Sequence, residues 1–196
     1  MIPLPFRRPK RSATIDALYG IIVAQARSPS FYRGYGVPDA VEARIDMIML
    51  HLVMVLRGLR GGGEAGSLAE GGRPVSDNGG PTAQALAQQL FDRFCQDMDD
   101  NFREMGVGDL TVPKEMQRVA AAFYGRAKVY DEALDAGDVS ALAAALARNV
   151  FNAAEIQSGA RRLAAYVMDA VTMVGTPAAL LRGDVRFPDP ESVRAV

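Results

Sequence analysis

NFREMGVGDLTVPKEMQRVAAAFYGRAKVY, residues 101–130, joins two amphipathic helical stretches through one tight corner, Gly106-Val107-Gly108-Asp109. Upstream, Leu86, Leu90, Phe94, Met98, Phe102 and Met105 repeat at intervals of three and four. Downstream, Met116, Val119, Ala120, Phe123, Ala127, Tyr130 and Leu134 do the same. Gly106 suits the left-handed position after a helix end, with Val107 folding back onto Phe102. Pro113 opens the next helix. Charged side chains crowd the corner without catalytic groups, so the stretch reads as a surface that grips another protein.

The same spacing extends through most of the chain. Ile15, Leu18, Tyr19 and Ile22 form a first stripe, stopped at Ser28-Pro29. Residues 30–38 read as a loop carrying Phe31, Tyr32 and Tyr35. Asp39 with Glu42 reads as a capping box for a helix that runs to about Arg60. Thr82 caps the long helix that enters the corner. Gly137 ends the helix that leaves it, and Asp138 caps a short helix to about Arg148. A further helix covers roughly residues 156–173, and Thr176-Pro177 starts a last turn ending at Gly183. No strand pattern or internal repeat is present. The spacing predicts an all-α, single-domain bundle of about six to seven helices, with short connections favouring antiparallel neighbours.

Residues 61–80 hold eight glycines and almost no large apolar side chain, which predicts a flexible, exposed loop. The domain organisation is therefore a basic N-terminal tail over 1–11, a helical domain over 12–183 and a loose C-terminal tail over 184–196.

The 196 residues are 49% apolar and 23% charged, with a net charge of −1. That balance is globular and gives no global pull toward nucleic acid or acidic lipid. Lone Cys95, on an apolar stripe, excludes an internal disulfide framework and suggests a reducing compartment. Residues 1–11 lack the apolar run of a signal peptide. The apolar stretches 45–56 and 163–181 are short or interrupted by charge, glycine and proline, so both read as buried helices. The chain is expected in the cytoplasm, or peripherally at the inner face of the inner membrane.

Catalytic chemistry is sparse. His51, the single histidine, lies in an apolar helical run and reads as a packing residue. One Cys and one His cannot build a zinc site of the usual spacing, and neither a phosphate loop nor a dinucleotide fingerprint is present. No cofactor, metal or enzymatic activity is expected. Asp92, Asp97, Asp99 and Asp100, with Asp131 and Asp135, leave one enzymatic alternative: facing aspartates holding Mg²⁺ and a diphosphate, as in isoprenoid synthases. Solvated helix faces, with Asp99–Arg103 as an i,i+4 pair, are the simpler reading. A helical adaptor for another membrane complex is a third possibility.

QARSPSFYRGYGVPDAVEAR (residues 25–44), then an apolar helix, then FREMGVGDLTVPKEM (102–116) and AFYGRAKVY (122–130) resemble the ubiquinol–cytochrome c chaperone family. This family includes mitochondrial assembly factors for cytochrome b of the bc1 complex and their bacterial homologues. The resemblance spans about residues 18–150, interrupted at the glycine loop. It implies an all-helical, non-enzymatic chaperone of the bacterial type that transiently binds newly made cytochrome b. Mitochondrial members work near the ribosomal exit tunnel with a small helical partner.

The resemblance singles out Arg27, Tyr32, Asp39 and Arg44, then Arg103, Glu104, Gly106 and Asp109, then Tyr124, Gly125, Arg126 and Tyr130. Arg27, Asp39, Glu104, Gly106 and Asp109 read as structural. The expected contact residues are Phe31, Tyr32, Tyr35, Arg44, Arg103, Tyr124, Gly125, Arg126 and Tyr130, lining a groove between the 31–35 loop and the 124–130 helix. Arg103, Glu104, Asp109 and Arg126 read alternatively as one polar network bracing the corner. Gly125 sits inside a helix, where glycine costs about 1 kcal/mol relative to alanine; this marks either a close approach or an exposed position. Met47 and Met54 form a stripe that reads as core or as an adaptable client surface. Arg7, Arg8, Lys10 and Arg11 are the candidate contacts to anionic lipid or the ribosome.

Overall fold

The structure is a computed structural model that describes residues 13–61 and 82–193. The basic tail over 1–11 and, beyond Gly61, the glycine stretch lie outside the described residues. Helices α1 (Ala13–Ala26), α2 (Pro29–Arg33), α3 (Val41–Leu59), α4 (Ala83–Glu104), α5 (Val112–Asp135), α6 (Val139–Asn149), α7 (Ser158–Met173) and α8 (Pro177–Leu181) follow in order. Six are long and two are single turns, and no strand occurs among the described residues. The expected all-α bundle is the fold.

Helix α3 is the axis. Every residue from 46 to 56 is buried, as a helix apolar all round requires, and it touches α1, α4, α5, α7 and α8. Met47 and Met54 are 0% and 1% exposed, so this stripe is core and presents no client surface. The amphipathic helices pack their stripes inward: Leu90 and Phe94 of α4, Phe123 and Tyr130 of α5 and Leu163 and Val167 of α7 are all buried. Half-buried Cys95 packs against the same core. Burial pushes its thiol up to about 11, which makes it packing rather than a nucleophile.

The local stop and start signals act as their chemistry requires. Thr82, Asp138 and Thr176 each accept a hydrogen bond from the backbone N–H three residues on, at 3.0, 2.8 and 3.4 Å. Gly106 has φ +81°. Its N–H donates to the Arg103 carbonyl and the Val107 N–H donates to the Phe102 carbonyl, both at 3.0 Å, completing the Schellman pattern.

Three expectations need correction. Asp39 does not cap α3: the N-cap is Ala40, without a side-chain bond. The Asp39 carboxylate is taken by the Arg44 guanidinium at 2.6 Å, and a charged donor outcompetes a backbone N–H. The 30–38 segment is not all loop, since α2 occupies its start with Pro29 in the first turn. The C-terminal segment is not loose over 184–193: Val185, Pro188, Pro190 and Val193 are buried against the bundle. Its apolar residues are few, but they fall where a groove accepts them.

The acidic residues hold the helices together. Asp131 of α5 receives Arg57 of α3 at 3.3 Å and Arg60, which caps the end of α3, at 2.5 Å, and Arg57 also reaches Asp135 at 2.5 Å. On α4, Asp97 accepts from the Tyr19 hydroxyl at 2.9 Å and lies 3.5 Å from Arg93. Among the described residues no three His, Cys, Asp or Glu side chains gather as a metal site would require. The two aspartate sets therefore do not converge as a diphosphate site needs, and their geometry is that of interhelical and surface pairing.

Candidate client-binding surface

The first block of singled-out residues divides between core and surface. Phe31 and Tyr35 are 0% and 3% exposed, so the expected contact loop turns its largest side chains inward. Phe31 lies edge-on to Tyr35, His51 and Tyr166, with ring centroids 5.3, 5.5 and 4.9 Å away. This spacing suits aromatic quadrupoles. At the centre His51 is fully buried. Its Nδ1–H donates to the Met47 carbonyl at 2.8 Å, and its Nε2 accepts from the Tyr166 hydroxyl at 3.0 Å. Both ring nitrogens are satisfied in the neutral form, and burial lowers the imidazole to about 4. His51 is a packing residue. Tyr32 is half-buried, its hydroxyl donating to the Ala26 carbonyl at 2.9 Å. The Arg44 guanidinium covers the Tyr32 ring, 5.4 Å from its centroid, and Arg44 remains exposed. Arg27 stands exposed at the end of α1.

The corner residues also divide. Arg103 bridges Asp99 at 2.8 Å and Asp109, closing the corner on its outer side. Glu104 has no ion-pair partner among the described residues. Arg126 belongs elsewhere: it reaches Asp46 of α3 at 2.8 Å, with Nη1 3.9 Å from the Met49 sulfur. Arg103 with Asp109 and Arg126 with Asp46 are thus two separate constructions, with Glu104 in neither, because Arg126 sits on the α3-facing side of α5. Tyr130 is 1% exposed and its hydroxyl accepts from Asn149 at 3.2 Å. Arg126 and Tyr130 are accordingly interhelical residues in this fold.

Besides Arg27 and the Asp39–Arg44 pair, the singled-out residues that remain accessible lie at the corner and on the outer face of α5. Tyr124 is 47% exposed and rests on Phe91 and Phe123, with centroids 5.5 and 5.7 Å away. Gly125 is exposed, and a Cβ built there meets nothing within 4 Å. No backbone outside its own helix approaches it among the described residues. Leu110 is singled out by no motif, and Met105, read from spacing as part of the apolar stripe, faces outward instead. Leu110 is 98% exposed and Met105 is 52% exposed. The available signal was a leucine between Asp109 and Thr111, on neither helical stripe. Of the eight large hydrophobic side chains most exposed among the described residues, Met105 and Leu110 lie at the corner and Tyr124 and Val129 further along α5.

Asp46 gives the α3–α5 contact a measurable pH dependence. Burial outweighs the Arg126 guanidinium and raises its carboxyl to about 6 from an ordinary 3.8. The folded state therefore binds more protons than the unfolded chain between those values, and this group adds stability as pH falls from 6 toward 4. His51 works oppositely. It titrates near 4 against 6.5 when unfolded, so stability is lost as pH drops through that window. Asp46→Asn removes the first slope and keeps the second. Between pH 7 and pH 4 the variant should lose roughly 2–3 kcal/mol more than the wild type, measured by urea unfolding at the two pH values. Parallel pH profiles would show that Asp46 is not buried as described.

Residues 33–187 match the family model described as ubiquinol–cytochrome c chaperone. Among solved structures, the crystal structure of the Cbp3 homolog from Brucella abortus is similar. Its sequence is 35% identical, the TM-score is 0.75, and the alignment covers 93% of this chain and 92% of that one. No curated protein gives a significant match.

Proposed function

This chain belongs to the ubiquinol–cytochrome c chaperone family, and we propose that it is a non-enzymatic assembly chaperone of the bc1 complex that transiently binds cytochrome b. Among the described residues no helix is long and apolar enough to cross a membrane. The chaperone would meet its client at the inner face of the membrane. Cytochrome b is built of apolar helices that lack their final neighbours until the complex is complete.

The observation that carries this reading is the fully presented Leu110 at the corner, with Met105 before it and Tyr124 further along α5 also exposed. A large apolar side chain 98% in water contributes nothing to its own fold, whereas it would contribute to an interface that covers it. Arg103, held by Asp99 and Asp109, borders the patch as a charged rim. Phe31, Tyr35, Arg126 and Tyr130 are engaged in packing or pairing within the fold and are not assigned as contacts.

Leu110→Asp and Tyr124→Ala are expected to leave the melting temperature within a few degrees of wild type. Each should weaken co-purification with tagged cytochrome b at least fivefold, the loss of an interface anchor worth more than about 1 kcal/mol. Assembled bc1 complex in membranes should fall in step. Normal complex levels in cells carrying both substitutions would remove the α4–α5 surface as the client site.

A further inference from the structure

The segment 185–193 lies in its groove as a peptide ligand does. Among the described residues no main-chain hydrogen bond ties it to the rest of the fold; its one internal bond runs from Ser192 N–H to the Asp189 carbonyl. Side chains of the bundle hold it instead, mostly by its carbonyls. Gln25 Nε2 donates to the Pro188 carbonyl at 3.1 Å, and the Tyr35 hydroxyl donates to the Pro190 carbonyl at 2.7 Å. Arg162 donates to the Val193 and Pro190 carbonyls at 3.1 and 3.3 Å. The Ser30 hydroxyl reaches Glu191 at 2.9 Å. Phe187 sits edge-on to His51, 5.1 Å between centroids. The Arg162 guanidinium stacks over Tyr35 at 4.2 Å while also donating to the Gly34 carbonyl.

This is how aromatic-lined grooves read proline-rich strands: donors meet carbonyls, and side-chain pockets take alternate residues. Pro188 lies in the extended part and Pro190 opens the turn closed by the Ser192 N–H; each proline fixes its own φ before the segment binds, so less entropy is lost on docking. The residues that hold the segment come from α1, α2 and the turn after it, α3 and α7.

We propose that residues 185–193 are a cis occupant of a peptide-recognition groove, and that the groove accepts in trans a segment of the same chemistry: an aromatic residue followed by prolines one and three positions on. The tail shields the groove through its tether, which keeps the occupant at a high effective concentration. A ligand in trans enters when the tail is weakened. This groove, formed by α1, α2, α3 and α7, is a second site, distinct from the α4–α5 surface.

The test uses the full chain and a fluorescent peptide with the sequence of residues 184–196, DVRFPDPESVRAV. Phe187→Ala removes the tail's anchor while leaving every groove residue in place. The variant should bind the labelled peptide at least tenfold tighter than wild type, and adding Arg162→Ala should reverse most of that gain. A Phe187→Ala protein that is helical by circular dichroism and binds no peptide overturns the proposal, as does equal binding by wild type. Should Phe187→Ala fail to fold, a protease site inserted after Gly183 in the full chain allows the tail to be cut. The released segment should then exchange with labelled peptide while the helices persist. Retention through excess peptide, or loss of the helices on release, overturns it.

Discussion

Gly159→Ala is expected to be the most damaging single-methyl change in this protein. Gly159 lies in the first turn of α7, where a Cβ would stand 1.9 Å from the Tyr35 carbonyl oxygen and 3.0 Å from the Phe151 ring. The obstacle is backbone, which no rotamer change can clear. α7 must withdraw from the turn after α2, and Arg162, three residues on, would be drawn away from the Gly34, Pro190 and Val193 carbonyls. Overpacking of this kind costs about 3 kcal/mol or more, a large share of a typical total stability. The melting temperature should fall by roughly 10 °C. An unchanged melting curve would show that α7 is not seated against Tyr35. Gly125→Ala is the control within the same fold. With nothing near its Cβ, the substitution should stabilise by up to about 1 kcal/mol through helix propensity. If cytochrome b capture drops while stability rises, a partner helix approaches at Gly125.

Phe31→Ala is expected to cost about 3–5 kcal/mol, as for other fully buried phenylalanines. It empties the position where Tyr35, His51 and Tyr166 meet, leaving their rings without their shared contact. The loss should appear in urea unfolding. Any fall in bc1 assembly should follow the folded fraction and recover at a temperature where the variant is native. Weakened client binding by a variant of full stability would restore Phe31 to the contact surface. Phe31→Ala and Leu110→Asp are thus expected to separate cleanly: one lowers stability, the other lowers binding alone.

The contrast between these residues explains how far the chain could be read by eye. Helix ends were legible because their signals are local. Thr82, Asp138 and Gly106 each act within five residues of themselves, so their neighbours in sequence contain the whole interaction. The burial of α3 was equally plain, since no face of residues 46–56 is polar enough to meet water. The family motifs were legible as well, but their roles were not. Tyr124 and Tyr130 look alike in AFYGRAKVY, yet one is half exposed and the other is sealed beside Asn149. Asp39 had a plausible cap role until Arg44, one helical turn into α3, took its carboxylate.

Composition and spacing alone determined that this protein is a helical bundle, where several of its helices start and stop, and that it carries no zinc-site ligand pattern. Those properties follow from short-range sterics and from the periodic burial of apolar side chains. The tertiary structure decided which motif residues face outward, why Gly159 must lack a side chain, and where the last residues of the chain lie. Each depends on partners far apart in sequence, such as Tyr35 and Pro190, 155 residues apart. Such pairs are brought within hydrogen-bond distance only when α3 has gathered the other helices around it.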